Sequence, residues 1–456
     1  MRRWHCVPLK RPGSPRTLTQ VIRRALNALG RAGTSTAYRQ PGSLPAPGPA
    51  DAVSEEQSER ARWRLGRLAP AVLVAWLVVD VGLRAMPVER LGVSPIVAAQ
   101  RFAGRRAPFR ANVSIHVPAG SPGENAVRGN LPPTERRPPL QFSTDALGYR
   151  RNPEVPVEAV IDLLFLGGDS FIYGANLSDE ETLPAAFTRA SGLLSYNGGR
   201  PHLIPTSLAD LDWLLSRFSS MPKRAVLVHL EQHRRRLPKL GLDSGVGVIA
   251  DLKYARYVAS GWWDAAPLSN ATRRLFRHLA DDKILPNTYG QDILAYTLPD
   301  GRPMLFRGSE TFPSRRPQTG AEIRGTAQYI VQWVRTLEAR GLETHVLLLP
   351  TRFTVYGPWL ELGELRAGVL QAVQDFHALE AALRDRNVST TNGLHVFQAT
   401  AERDLRTGEL PFYREDNHWT PEGVERIARA LADSLSPSNR DAHGEPMVQA
   451  APGAPR

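Results

Sequence analysis

The sequence predicts an α/β protein built in three layers, with a parallel sheet covered by helices on both faces. Three observations predict it. From residue 161 onward, short β-rich runs alternate with stretches of helical periodicity, the pattern of βαβ crossovers. The first of these runs ends in glycine and meets Gly168-Asp169-Ser170, which reads as a strand-to-helix turn. Near the other end, Thr420-Pro421 places an N-cap residue before a first-turn proline and so opens a last helix.

Taken in order, strands are expected at 161–166, 193–197, 225–231, 344–350 and 394–398. Helical patterns lie at 182–191, 207–218, 321–340, 363–385 and 421–435. Together they delimit a domain over 156–435, interrupted at 234–312 by a polar stretch that contains Trp262-Trp263. That stretch ends in an apparent hairpin over 298–306 around Asp300-Gly301 and reads as an insertion or lid. No internal repeat is visible.

The 456 residues suffice for a large core, and 42% hydrophobic with 22% charged residues is ordinary globular composition. The net charge of +12 suggests nucleic acid until it is located. Residues 1–67 hold 13 Lys/Arg against 4 Asp/Glu, whereas the rest of the chain holds 44 against 41. The excess belongs to the N-terminal tail, so a nucleic-acid footprint is not expected. The single cysteine, Cys6, excludes a disulfide framework and a cysteine metal site within one chain.

Residues 1–60 are rich in Pro, Gly, Ser, Ala and Arg and read as a disordered basic tail, with a weak helix at 21–29. A true start near Val53 is an alternative that N-terminal peptide sequencing decides. Residues 68–83 form an apolar run between Arg67 and Arg84. As a helix it spans about 24 Å, short of the roughly 30 Å hydrocarbon core. It reads as the centre of a transmembrane anchor over 65–86, with Asp80 near one interface and the preceding Arg60, Arg62, Arg64 and Arg67 favouring a cytoplasmic N-terminus. A buried core helix is the alternative. A cleaved signal peptide fits less well, because the leading region is long and no small-x-small site follows. Residues 87–155 read as a lead-in segment with one ordered-looking phrase at 142–150, and 436–456 as a disordered tail.

Ser170, Asp416 and His418 carry the chemistry. A serine is a poor nucleophile unless a base removes its proton and donors steady the oxyanion. Asp416 and His418 sit two apart on the loop before the last helix, so in extended backbone they point the same way and the carboxylate can orient the imidazole. Taken alone, Ser170 is equally a helix N-cap, and the Asp/His pair equally a loop hydrogen bond. No third ligand of matching spacing supports a metal, and no cofactor is expected.

Together these motifs resemble the SGNH (GDSL-type) hydrolase superfamily. Gly168-Asp169-Ser170 looks like its first block and Asp416-Asn417-His418 like its last, with Asp two residues before His instead of the commoner three. The run Asp416-Asn417-His418-Trp419-Thr420-Pro421-Glu422-Gly423 is similar to the SGNH-like proteins of alginate and related polysaccharide O-acetyltransferase systems. The phrases at 144–150 and 348–356 support that subgroup. The resemblance implies a flavodoxin-like parallel sheet, Ser170 as nucleophile, His418 as base and Asp416 as its orienter. It also implies an oxyanion hole from the N–H groups of Ser170 and Gly199, although Gly199 equally suits a plain turn.

The third block departs from the family. No Asn follows the third strand, and Gln232 or His233 stands where that donor would be. His229 and His233 otherwise read as structural, Arg234-Arg235-Arg236 as a solvated face or an attractor of an anionic glycan, and Trp262, Trp263 and Tyr356 as packing residues or sugar-stacking platforms. The expected protein is a single-pass inner-membrane enzyme with a periplasmic domain that transfers an acyl group, by preference acetyl, to a polysaccharide or oligosaccharide hydroxyl. A separate membrane-embedded partner would bring the acyl donor. Rival readings are a carbohydrate esterase or deacetylase of the same fold, a non-catalytic glycan-binding scaffold, and a soluble cytoplasmic esterase.

Overall fold

A computed structural model describes residues 107–120, 123–129, 135, 137–200, 208–233, 293–298 and 300–436, with isolated upstream positions at 74, 75, 78, 79 and 96. All described residues from 107 onward fall in one compact unit. In chain order it contains β1 (Ser114–Val117), α1 (Glu124–Gly129), β2 (Leu140–Ser143), β3 (Leu163–Gly167), α2 (Ser170–Tyr173), α3 (Leu183–Ser191), β4 (Ser195–Asn197), α4 (Leu208–Leu215) and β5 (Arg224–Leu230). There follow β6 (Ile293–Thr297), β7 (Pro303–Arg307), α5 (Gly308–Arg315), α6 (Gly320–Glu338), β8 (Glu343–Leu349), α7 (Arg352–Tyr356), α8 (Leu365–Arg384), β9 (Thr390–Asn392), α9 (Gly393–Gln398), α10 (Ala401–Thr407) and α11 (Pro421–Leu435).

β3, β5 and β8 are dominated by Leu and Val, with His229, Thr344 and His345 among them, and are buried along nearly their whole length. Strands this apolar need helices on both faces. They form a five-stranded parallel sheet in the order β4-β3-β5-β8-β9. Numbered within the sheet this is 2-1-3-4-5, the flavodoxin-like order, as expected. Right-handed crossovers then place α3 on one face and α4, α6 and α8 on the other. α11 returns to pack against α3, and α8 lies against α6. Ser170 follows the first sheet strand, beside the point where the strand order reverses, which is where such sheets open a crevice at their carboxyl ends.

Four of the five expected strands lie where the sequence places them, and so do the five expected helices. The fifth strand does not: β9 is Thr390–Asn392, and 394–398 falls inside α9. Leu394 and Phe397, three apart, turn one face inward and are fully buried. The Asn392 side chain caps the helix by accepting the Leu394 N–H at 2.9 Å. Cap and helical spacing outweigh the β-propensity of Val396 and Phe397.

The hairpin around Asp300-Gly301 is present as antiparallel β6 and β7. Met304, Leu305 and Phe306 of β7 are buried, so this end of the interrupting stretch packs into the domain. Residues 234–292 lie outside the described residues, among them Arg234-Arg235-Arg236, Trp262 and Trp263, and so does the side chain of His233. The expected tails also lie outside them. So does the expected anchor, except for 74, 75, 78 and 79, which are helical. No helix among the described residues is long and apolar enough to cross a membrane.

The lead-in segment is built into the domain. β1 and β2 pair antiparallel. Arg150, 1% exposed, reaches Asp179 Oδ1 at 2.5 Å and donates to the carbonyls of Gln141, Tyr173, Gly174 and Leu177 at 3.0, 3.3, 3.1 and 2.7 Å. It therefore fastens the chain just after the Ser170 turn. Asp145 accepts the N–H groups of Leu147 and Tyr149 and the Tyr196 hydroxyl of β4. The phrase at 142–150 is thus a clamp on the sheet's edge.

Candidate active site

The turn that presents Ser170 is made by three consecutive residues with positive φ: Gly167 at 78°, Gly168 at 66° and Asp169 at 47°. A Cβ on Gly168 would lie 2.2 Å from Ile172 Cγ1 and 2.9 Å from Val228 Cγ1, so only glycine fits. Asp169 holds this conformation without that freedom, a strained backbone of the kind found where a side chain must be aimed.

The loop bearing Asp416 and His418 is shaped by the residues around it. Phe412 and Trp419 form an antiparallel bridge, and Thr420 caps α11 by accepting the Gly423 N–H. A Cβ on Gly423 would lie 2.1 Å from the Pro411 carbonyl oxygen, so glycine permits the close return of the loop. From beneath, Arg352 donates to the carbonyls of Tyr413 at 2.5 Å and Arg414 at 3.0 Å, and also bonds the Leu305 carbonyl. Its charge is met by Glu310, 2.6 Å away, with both side chains about 1% exposed or less. This is the role of the phrase at 348–356: it holds the loop from below. Tyr356 is fully buried, so of the packing and stacking readings it takes packing.

Ser170 Oγ lies 2.6 Å from His418 Nε2, across 248 residues of sequence. His418 Nδ1 bonds Asp416 Oδ1, and Asp416 Oδ1 also accepts the His418 N–H at 3.1 Å. An ionised carboxylate only accepts, so Nδ1 carries the proton and Nε2 is left to accept from the serine hydroxyl. The Phe171 ring packs on both His418 and Trp419, with centroids 5.2 and 5.3 Å away. The Asn176 amide lies 3.1 Å from His418 Nδ1.

The second oxygen of Asp416 is held by the lead-in segment. Arg137 Nη2 donates to Oδ2 at 2.8 Å and the Glu124 N–H at 2.9 Å. Asp416 is 1% exposed. Burial alone would push its carboxyl up; His418 and Arg137 outweigh that and hold it well below the usual carboxylate range. Arg137 also stacks on Tyr413, 4.9 Å from the ring centroid. Beside it, Glu135, Arg137, Arg302, Tyr413 and Arg414 line a pocket of 290 Å³. The arginines there pair with Asp416, Asp300 and Glu135, so the pocket carries no unbalanced positive charge.

Of the two expected oxyanion donors, one is engaged within its own turn: the Gly199 N–H donates to Asn197 Oδ1 at 3.1 Å, whereas the Asp169 side chain makes no cap hydrogen bond at the start of α2. Burial pushes the Asp169 carboxyl up to about 7, against the pull of His418, the Ser170 N–H and Arg307. Gln232 lines a small cavity at the ends of β5 and β8 with Phe171, Thr351 and Asn417, whose Oδ1 is buried without a partner. His229 is buried in β5.

The structure therefore brings Ser170, His418 and Asp416 into one hydrogen-bonded line and sets Gly199 in the adjoining turn. Sequence reasoning missed Arg137, Asn176 and Glu310. Arg137 stands in an Arg- and Pro-rich stretch where nothing local separates a buried arginine from a solvated one.

Residues 302–454 match the family model described as the SGNH hydrolase-like domain of the acetyltransferase AlgX. That stretch contains Asp416 and His418 and begins after Ser170. Curated relatives include two proteins described as probable alginate O-acetylase AlgJ. The one from Pseudomonas fluorescens is 30% identical over 121 residues, 26% of this chain and 28% of the relative. The one from Pseudomonas putida is 30% identical over 145 residues, 30% of this chain and 35% of the relative. The chain thus spans about a third or less of the length of these relatives. In motif and in sequence match, it resembles the SGNH hydrolase-like proteins of alginate and related polysaccharide O-acetylation systems.

Proposed function

We propose that the chain is a membrane-anchored serine acyl-transfer enzyme that moves an acetyl group onto a hydroxyl of an exported or cell-envelope polysaccharide. The observation that carries the reading is the line Ser170 Oγ–His418 Nε2, 2.6 Å, with Asp416 on Nδ1. In the first half-reaction Ser170 Oγ attacks the acyl carbonyl while His418 Nε2 takes its proton. Asp416 steadies the imidazolium. The proton then passes to the leaving group and an acyl-serine remains. In the second half-reaction His418 takes the acceptor's hydroxyl proton, the acceptor oxygen attacks the acyl carbon, and Ser170 recovers its proton.

For the oxyanion hole, the Ser170 N–H would serve the substrate oxygen directly and the Gly199 N–H would turn to it from Asn197; such donors are worth about 3 kcal/mol each. A polysaccharide acceptor is supported by the relatives' description as alginate O-acetylases. The anchor at 65–86, with the domain on the periplasmic side and a separate membrane partner bringing the donor, rests on the apolar run and on the resemblance. A glycan-binding scaffold is the second reading, favoured by the Gly199 N–H already engaged on Asn197 Oδ1.

The test uses the full chain in detergent, with 4-nitrophenyl acetate as donor and an oligosaccharide as acceptor, beside folded Ser170→Ala. Serine-dependent 4-nitrophenol release with the gain of one acetyl group on the sugar supports transfer. Release without sugar modification supports an esterase. Equal rates for wild type and Ser170→Ala, with the oligosaccharide still bound, support the scaffold.

A further inference from the structure

A second cluster of functional side chains lies away from Ser170, beside the last sheet strand. His377 and Glu380 are one helical turn apart on α8, and His395 projects from α9. Ligand-type atoms of the three lie within 4.8 Å of one another. The two imidazoles are stacked, with ring centroids 4.7 Å apart and planes at 26°. Three strand spacings separate β9 from β3, about 14 Å at ~4.8 Å each, so the cluster is no part of the line at Ser170.

The surroundings suit a cation. Glu380 is 7% exposed. Its Oε2 accepts Asn392 Nδ2 at 2.7 Å, and the same nitrogen lies 3.5 Å from His377 Nδ1. The Asn392 amide cannot be reversed without losing its cap, because Oδ1 already accepts the Leu394 N–H at 2.9 Å. Glu380 and His377 are therefore oriented by one fixed amide, the kind of outer partner that metal ligands use. On its other oxygen Glu380 accepts Arg384 Nη2 at 2.9 Å; that arginine side chain is 72% exposed, and a bound cation would have to displace it.

We propose that His377, Glu380 and His395 form a binding site for one divalent transition cation of the zinc class, which joins α8 to α9. Two imidazoles and a carboxylate are a known zinc donor set and leave a fourth position for water. α9 and α10 lead from β9 into the loop that carries Asp416 and His418, so the cation would stiffen the foundation of that loop without touching it.

The test is zinc binding by the full chain, tag removed, stripped with chelator and freed of it by dialysis. Equilibrium dialysis against Zn²⁺ with metal analysis, and the visible absorption of Co²⁺ as a probe of geometry, are measured for four proteins. These are wild type, His395→Ala, His377→Ala/His395→Ala and His418→Ala. His395 is exposed, so its truncation leaves the fold intact, which far-UV circular dichroism checks on metal-free protein. The expected result is one equivalent in wild type and in His418→Ala, binding weakened at least tenfold in His395→Ala, and none in the double variant. Wild type binding less than about a fifth of an equivalent overturns the proposal. So does full binding by the double variant, or binding lost only in His418→Ala, which would place the ion on the neighbouring Glu124, Asp416 and His418.

Discussion

Arg137 and Asp416, 279 positions apart, meet through Arg137 Nη2 and Asp416 Oδ2 at 2.8 Å, with the two side chains 8% and 2% exposed. The His-facing oxygen of the same carboxylate is bonded to His418. The segment before the α/β core thus completes the line that reaches Ser170, and its arginine sets the charge behind the imidazole.

Arg137→Met removes a hydrogen bond to a charged, buried acceptor, an interaction of about 1.5–3 kcal/mol. The expected effect is a fall of about 10- to 100-fold in kcat. Loss of the positive charge lets the Asp416 carboxyl hold its proton to higher pH, so the acid limb of kcat/KM moves upward. Arg137→Lys restores part of the rate and of the profile. An unchanged acid limb in Arg137→Met, with activity lost only through unfolding, would make the arginine merely structural.

Asp169 predicts a pH effect on stability. Its carboxyl is pushed from an ordinary 3.8 up to about 7. Between those values the folded protein holds more protons than the unfolded chain, so this group's contribution falls as pH rises from about 4 to 7 and then levels off. Asp169→Asn removes that dependence. The difference in melting temperature, variant minus wild type, should grow from pH 5 to pH 7.5, measured by circular dichroism. A constant difference counts against a raised Asp169.

Gly168→Ala places a Cβ 2.2 Å from Ile172 Cγ1 at a φ of 66°. Overpacking of this kind costs about 1–3 kcal/mol, and the positive φ adds to it. Urea titration should show a lower midpoint, and the serine turn should lose its aim, with kcat falling more than stability alone explains.

Arg352 and Glu310 predict non-additivity. Either single truncation leaves a buried charge uncompensated, at a cost of about 3–5 kcal/mol. The double variant Arg352→Met/Glu310→Gln should recover much of the loss, although the Tyr413 and Arg414 carbonyls still lose their donor. A double-mutant cycle from urea unfolding measures the coupling; strictly additive losses would exclude it.

Much of this was legible in the chain itself. The buried strands announce themselves as apolar runs, and α11 through Thr420, Pro421 and Gly423, because caps, turns and periodicity are local effects. So is the pairing of Asp416 with His418, two positions apart on one loop, although that loop bends at 416–418 instead of running extended, and Asp416 Oδ1 also accepts the His418 N–H. The expected strand at 394–398 is instead part of α9, because the five residues Leu394-His395-Val396-Phe397-Gln398 carry too little periodicity to separate helix from strand, and the cap that decides it is the side chain of Asn392.

What the sequence by itself determined is which segments form strands and helices and which side chains have the chemistry to act. Only the tertiary structure decided how closely Ser170 meets His418 across 248 positions and that one arginine among many lies behind Asp416; the strand order β4-β3-β5 was implied by the resemblance alone and by nothing local in the chain. Propensities and caps act within a few residues of backbone. Strand order and the pairing of distant charges come from burying apolar faces of the whole chain at once, and they leave no local trace.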